Sequence, residues 1–378
     1  MTRSKIPMAP CFRLLDLPPN LAEQVMKHMN MATLYEMSQL STRTRLLVRS
    51  TAVLNKRKQH LDVCISSTRL ISVFCGYDRV DWKFYGKRDS NRMNHEGVRR
   101  RAVRIDDGLF GGKGERQELE FVEIRTGLYG CMTNGIQDVI QFFKFIAALF
   151  GLGVRELKIF GAQFVHLSLI VANERLQKCD TLLIYALHVY HDEMRTLLGD
   201  FRTQKLKILS RTNSGFTVNR PIEIRFLRAW NAAWFSGQQL ENLCSDTVLI
   251  SGCTYVFDID VNEFLHRWMN RTDGNALICF MVLGKELPYV WNLDIITFGL
   301  DSFEKPLEPF SNPYSRSFER ESDGQLMNVG IVNDYSMSYL TFHGKYNENA
   351  TRPNAAAISQ NPGLYFSQNL RLLYGERI

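Results

Sequence analysis

Two short stretches carry residue types that could do chemistry. His188-Val189-Tyr190-His191-Asp192-Glu193 offers two imidazoles and two carboxylates, donors that suit zinc or another divalent metal. A metal site needs both imidazoles presented together and a third ligand, and no spacing in the chain identifies one. The carboxylates are better placed to favour a helix N-terminus, where the dipole stabilises negative charge. Gly111-Gly112-Lys113-Gly114 has the glycines and lysine of a phosphate loop. It lacks that motif's first glycine and the Ser/Thr after the lysine, so a flexible loop accounts for it. No Gly-x-Ser-x-Gly elbow occurs and no carboxylate pair stands out. The eight cysteines, at 11, 64, 75, 131, 179, 244, 253 and 279, include no Cys-x-x-Cys pair. Neither a zinc ribbon nor a thioredoxin-like site is indicated, and free thiols are expected. No catalytic residue, metal or cofactor is assigned.

Composition and charge set the surroundings of this absence. With 45% hydrophobic and 22% charged residues, the 378-residue chain has the make-up of an ordinary soluble globular protein. It has room for a small N-terminal module and a domain of about three hundred residues. The opening MTRSKIPMAP has no apolar core of a secretory signal, and the most apolar run, FIAALFGLGV at 145–154, is too short to span a bilayer. A cytoplasmic and/or nuclear protein with no membrane partner is expected. The net charge of +7 gathers partly in Lys56-Arg57-Lys58 and in Arg99-Arg100-Arg101 with Arg104. Such runs can mark nucleic-acid contact. Here they do not alternate with aromatics as a single-strand groove would, and a solvated surface is the preferred reading.

The most specific stretch is residues 12–50. Pro18 and Pro19 supply a fixed φ suited to a first helical turn. Leu21, Val25 and Met29 recur at i, i+4, i+8. Leu34, Met37 and Leu40 recur at i, i+3, i+6, and Leu46, Leu47 and Val48 follow among Arg43, Arg45 and Arg49. Three short amphipathic helices fit. A unit of about forty residues buries too little apolar surface to stand alone, so some apolar positions are expected to face another protein. The pattern resembles the F-box: a Leu-x-Leu-Pro opening (Leu15, Leu17, Pro18), aliphatics at Leu21, Val25 and Met29, then Leu34, Leu40 and Val48. The resemblance implies docking of these residues on a Skp-type adaptor, and through it on a cullin scaffold.

Residues 51–60 read as a basic linker. Strands are expected at 61–65, 70–74 and 118–124, with a long surface loop over 86–118. Ile136, Val139, Ile140, Phe143, Ile146, Ala147 and Phe150 fall at helical spacings, with Asn134 as a candidate cap. Short strands then recur at 154–160, 181–185, 206–209, 222–226, 247–250 and 276–282, with helical patterns between them. Steps of about 18–28 residues suit a strand–helix solenoid of the leucine-rich type, here degenerate. Residues 301–345 read as a linker followed by closing strands, and 346–378 as a poorly ordered tail.

The stretch 260–283 resembles the Asp-x-Asn-x-Phe-Leu-x-x-Trp signature of the nematode F-box-associated domain of the second type, through Asp260, Asn262, Phe264, Leu265 and Trp268. FERESDGQLMNVGIV (318–332) resembles that family's hairpin, with Asp323-Gly324 at the turn. The fold expected is α+β or α/β: a three-helix F-box over 10–50, then a leucine-rich-repeat-like α/β domain over 61–300, closed by 301–345. The function implied is that of a non-catalytic, substrate-recognition subunit of a cullin-based ubiquitin ligase, with an unknown protein as target. The competing readings are an interaction scaffold without a role in ubiquitination, or a nucleic-acid-binding protein using the basic clusters.

Overall fold

A computed structural model describes residues 14–54, 59–67, 69–85, 100–105, 117–125, 128–132, 135–212, 216, 221–270, 280–302, 314–320, 322, 324–333 and 337–345. Its chain divides into two compact units, Met1–Cys179 and Asp180–Ile378. In the first unit three helices, α1 (Pro19–Lys27), α2 (Met31–Ser38) and α3 (Thr42–Leu54), follow a single 3-10 turn at Leu14–Asp16. Strands β1 (Gln59–Ile65), β2 (Arg69–Cys75), β3 (Asp78–Tyr85), β4 (Arg100–Ile105), β5 (Gln117–Arg125) and β6 (Leu128–Met132) come next. Helix α4 (Ile136–Phe150), strand β7 (Val154–Phe160) and helices α5 (Leu167–Val171) and α6 (Glu174–Gln177) complete the unit. The strand order is β7-β1-β2-β3-β6-β5-β4. β1 runs parallel to β7, β3 runs parallel to β6, and the other pairs are antiparallel.

Each N-terminal helix has a local cause. Pro19 opens α1 at a position whose N–H would have no intrahelical partner. The Asn30 side chain accepts from Thr33 N–H (2.8 Å) and caps α2. At the start of α3, Ser41 N–H donates to Thr44 Oγ1 (3.0 Å) and Thr44 N–H donates to Ser41 Oγ (3.1 Å). That reciprocal box satisfies two otherwise orphaned donors. The 135–150 periodicity gives α4 with the bounds the apolar spacing implies. It ends at Gly151, whose φ of 64° is the left-handed stop that glycine adopts without strain. The residue before α4 is Gly135; Asn134 lies outside the described residues.

The three helices are not a free-standing module. Tyr35 of α2, 3% exposed, sits edge-on to Trp82 of β3 with centroids 4.9 Å apart, and against Tyr129 of β6 at 5.3 Å. Phe142 of α4 joins them at 5.6 Å from Trp82 and 6.4 Å from Tyr35. Each such aromatic pair contributes about 0.5–1.5 kcal/mol beyond its buried area. The Arg45 guanidinium lies 5.5 Å from the Phe145 ring, joining α3 to α4. The stability a forty-residue unit lacks is thus supplied within the same chain. Of the expected linker, 51–54 continue α3, 55–58 lie outside the described residues, and 59–60 begin β1.

The 86–118 stretch needs correcting. Arg100–Ile105 is a strand, β4, paired antiparallel to β5 from Arg100↔Val122 to Ile105↔Gln117. An arginine-rich strand escapes pattern reading because its charges mask the period-two signal. Residues 86–99 and 106–116, with the glycine-rich 111–114, lie outside the described residues.

The second unit starts with β8 (Cys179–Val189), α7 (His191–Gly199), β9 (Lys205–Thr212) and β10 (Phe226–Trp230). It continues through α8 (Gly237–Glu241), β11 (Thr247–Ser251), α9 (Asp258–Asn270), β12 (Phe280–Glu286) and α10 (Leu293–Ile296), then β13 (Ser315–Arg320), β14 (Gln325–Asn333) and β15 (Met337–Lys345). Five strands, β8 to β12, lie parallel and in sequence order. The sheet then turns antiparallel through β15, β14 and β13. Gly324, with φ of 67°, makes the expected turn of the β13–β14 hairpin; Asp323 lies outside the described residues.

The architecture is therefore that of mixed sheets with helices, and a regular solenoid is not what the structure shows. One expected strand is displaced. IEIRF (222–226) forms only a bridge, Ile222↔Leu243, and the strand is the next segment, Phe226–Trp230. Of the closing region, 303–313 lie outside the described residues, as does the whole tail, 346–378.

Candidate partner-binding surfaces

Helix α1 has two apolar stripes and one core. Ala22 and Met26, four residues apart, are 2% and 0% exposed. They take the inward face, which leaves the stripe singled out in the sequence outside it. Leu21 is 44% exposed and Val25 and Met29 are half-buried. Pro18 is exposed, and Leu15 and Leu17 are half-buried beside the opening turn. Arg43 Nη2 donates to Leu15 O (3.0 Å), which holds that turn against α3. Leu40, beyond the end of α2, is 75% exposed, and Leu46 of α3 is 56% exposed.

Leu34 and Val48 behave differently, at 5% and 0% exposed. They belong to the core between the helices, and neither offers side-chain surface to a partner. The arrangement is a small helical scaffold presenting Leu17, Pro18, Leu21, Val25, Met29, Leu40 and Leu46 with basic residues, Arg43 and Arg49, at its edge. Leu21, Leu40 and Leu46 are the large apolar residues exposed on this element among the described residues.

Residues 14–56 match the family model of the F-box domain. The comparisons with curated proteins and with solved structures give no match. The F-box is thus the part of the chain whose kinship is shown.

The second set of residues lies on α9. Val261, Leu265 and Trp268 are 0%, 0% and 3% exposed, and Phe264 is 7% exposed, edge-on to Phe342 of β15 at 6.1 Å. The Arg320 guanidinium lies 4.9 Å from the Trp268 ring. Asp260 Oδ2 accepts from Phe257 N–H (2.6 Å) and so caps its own helix. Its side chain also fills the space a Cβ on Gly237 of α8 would need, which fixes a glycine there. Asn262 Nδ2 donates to Ile296 O (3.0 Å) and Phe298 O (2.9 Å), fastening α10 to α9. All five residues thus build the second unit's interior or its joints.

A lysine that sequence reading passed over sits nearby. Lys285 of β12 is 3% exposed, its ammonium 3.6 Å from the Tyr289 ring centre, 4.6 Å from Phe257 and 5.2 Å from Trp291. Burial pulls its pKa down, while Cys253, Asp258 and Asp260 oppose that. Tyr289 O–H donates to Asp258 Oδ2 (2.7 Å), and burial together with that carboxylate pushes the phenol up. Cys253 donates to Gly284 O (3.3 Å), and burial pushes its thiol up to about 12. So raised, the thiol is protonated and a poor nucleophile. The signal available in the sequence was the aromatic pair Tyr289 and Trp291 soon after a lysine.

The candidate chemistry of 188–193 resolves into helix capping. Glu193 Oε2 accepts from Tyr190 N–H (2.8 Å) and Asp192 pairs with Arg195 (2.7 Å), both at the first turn of α7. Among the described residues no group of three His, Cys, Asp or Glu is placed to hold a metal. No described helix is long and apolar enough to cross a membrane. In the basic cluster, the β4–β5 register sets Arg104 opposite Glu118, so acidic residues are interleaved with it on the neighbouring strand.

Proposed function

We propose that this protein is a substrate-recognition subunit of a cullin-based ubiquitin ligase. Its F-box would bind a Skp-type adaptor through Leu15, Leu17, Pro18, Leu21, Val25, Met29 and Leu40, with Leu34 and Val48 shaping that surface from within. The observation that carries this reading is the α1 stripe left outside the core in a segment that matches the F-box model. The remainder, 61–345, would serve as an F-box-associated, leucine-rich-repeat-like module that holds the target protein. Five parallel strands stepping in sequence order support that reading. The chain itself would be non-catalytic: joining adaptor and target raises the target's effective concentration near a charged ubiquitin carrier held by the partners.

The test is capture of the Skp-type adaptor and cullin by the full chain and by Leu21→Ala/Val25→Ala. Point substitutions are the right tool because deleting residues 1–50 would strip Tyr35 from Trp82 and Tyr129 and unsettle the sheet. Capture by the parent and background signal for the double variant is the expected result. Full capture by the variant would remove this surface from the account. A scaffold without a role in ubiquitination would keep the adaptor and the target yet leave the target unmodified in a reconstituted ligase.

A further inference from the structure

We propose that the apolar surface at the carboxyl end of β11 and β12, bordered by α9 and α10, docks a basic, aliphatic segment of the target protein. This deepens the recognition reading above and rests on it. β11 and β12 are parallel, so the segments that leave them, 252–257 and 287–292, emerge on one edge of the sheet. That edge is where open α/β sheets receive their ligands.

Hydrogen bonds draw these segments and α10 into one surface. Asp258 accepts from Tyr289 O–H (2.7 Å) and from Asn292 N–H (3.0 Å). Asn262 donates to Phe298 O (2.9 Å), and His266 Nε2 lies 3.1 Å from the same oxygen. Ile259, Asn262 and His266 stand at i, i+3 and i+7, so they share a side of α9. Phe257, Ile259, Leu287, Val290, Ile295 and Phe298 each lie within three residues of one of those joints, and they are 42% to 78% exposed. The core beneath is already filled: Val256, Val261, Trp291 and Ile296, from the same segments, are 0% to 3% exposed. Exposed apolar residues gathered this closely and rimmed by polar ones mark an interaction site.

Charge chooses the occupant. In a chain of net charge +7, residues 252–263 and 286–302 hold six carboxylates and no lysine, arginine or histidine. Three of the six are engaged: Asp258 and Asp260 accept backbone or phenol hydrogen bonds, and Asp294 pairs with Arg316. Glu263, Glu286 and Asp301 are exposed and have no cationic partner among the described residues. Lys285, the cation beneath Phe257 and Tyr289, is 3% exposed and cannot screen them from outside. The surface is thus an apolar centre with an acidic rim. Lysine or arginine beside aliphatic side chains complements it, whereas nucleic acid and anionic lipid are repelled. A two-fold dimer through this face would set acid against acid, which disfavours a second copy of the chain.

The experiment uses the full chain and fluorescence anisotropy of short labelled peptides. One peptide alternates Lys and Leu, one Glu and Leu, one Ser and Leu, and one Lys and Ser. The Lys–Leu peptide should bind at least about tenfold more tightly than each of the others and weaken as salt rises. Ile295→Ser/Phe298→Ser should weaken it about tenfold or more with an unchanged thermal melt. Glu263→Gln/Glu286→Gln/Asp301→Asn should weaken it about fivefold and flatten its salt dependence. Leu187→Ser, at an exposed apolar residue on β8, should leave it unchanged. If the first variant melts early, the carboxylate variant, altered only at exposed positions, carries the test. Equal binding of the Glu–Leu peptide, parent-like affinity in the variants, or an equal loss in Leu187→Ser would each overturn the proposal. So would a dimer in sedimentation that Ile295→Ser/Phe298→Ser abolishes, since that would assign the face to a second copy. Adaptor capture, followed in parallel, reports on the recognition reading separately. Its loss with peptide binding intact sinks that reading; its retention without preference for the basic peptide sinks this one.

Discussion

Helices α1 and α9 carry the same signal in sequence and opposite fates in the fold. Each shows aliphatic or aromatic residues at i and i+4, yet Val261, Leu265 and Trp268 are buried while Leu21 is 44% exposed. The difference lies in what each helix must cover. α9 runs thirteen residues beside the second unit's sheet, and its single stripe meets Phe342 and Arg320. α1 runs nine residues and needs only Ala22 and Met26 for its core. Its other stripe stays partly or wholly exposed. Periodicity identifies a helix and its apolar faces; the count of partners decides which face is structural.

The largest effect expected from this contrast is at Trp268. Trp268→Ala should cost about 3–5 kcal/mol by removing a buried ring and leaving a cavity beneath Arg320. Urea unfolding followed by tryptophan fluorescence and circular dichroism checks it. A midpoint equal to the parent's would place Trp268 outside the core and erase the difference between the helices. Met26→Ala comes next, at about 2–4 kcal/mol, because Met26 is 0% exposed although α1 is otherwise a contact helix. Limited proteolysis of α1–α3 should accelerate in that variant. If Leu21→Ala were the more damaging of the two, the inner and outer faces of α1 would have to be exchanged.

Asn262→Ala removes the two donations that fasten α10 and should cost about 1–3 kcal/mol, with faster hydrogen exchange near Ile296 and Phe298. Unchanged exchange there would reduce Asn262 to a surface residue. The smallest effect is a pH dependence in β15. Burial lowers the His343 pKa from the ordinary histidine value to about 4, so the unfolded chain takes up the proton first as pH falls. Its contribution is complete above about pH 6.5 and is lost progressively toward pH 4, with a slope of at most about 1.4 kcal/mol per unit. His60 and His166 are lowered by burial with the same sign, so His343→Gln should flatten the stability profile only in part. A profile as steep in His343→Gln as in the parent would move the effect to those two.

Much of the first unit was legible because its signals are local. The prolines at the start of α1, the bounds of α4 and the strand at 154–160 follow from residues that carry their own geometry. The non-local features were not legible. Nothing near Tyr35 announces that it will meet Trp82 and Tyr129, and this docking is what converts three marginal helices into part of a larger unit. β4 was hidden because its arginines obey no apolar alternation, and its strand character comes from β5. The displacement of IEIRF to Phe226–Trp230 has the same origin. IEIRF alternates and FLRAW does not, yet it is the second that the neighbours β9 and β11 pair with. Leu34 and Val48 could not be separated from Leu21 and Leu40, because burial depends on the packing of three helices together.

The central claim is that the outer stripe of α1 serves a partner and the inner one serves the fold. One preparation of Leu21→Ala/Val25→Ala tests it when urea stability and affinity for the Skp-type adaptor are both measured. Unfolding should shift by no more than about 1 kcal/mol while adaptor affinity falls by a factor of a hundred or more, the scale of buried hot spots. A variant that loses several kcal/mol of stability yet binds the adaptor as the parent does would contradict the account.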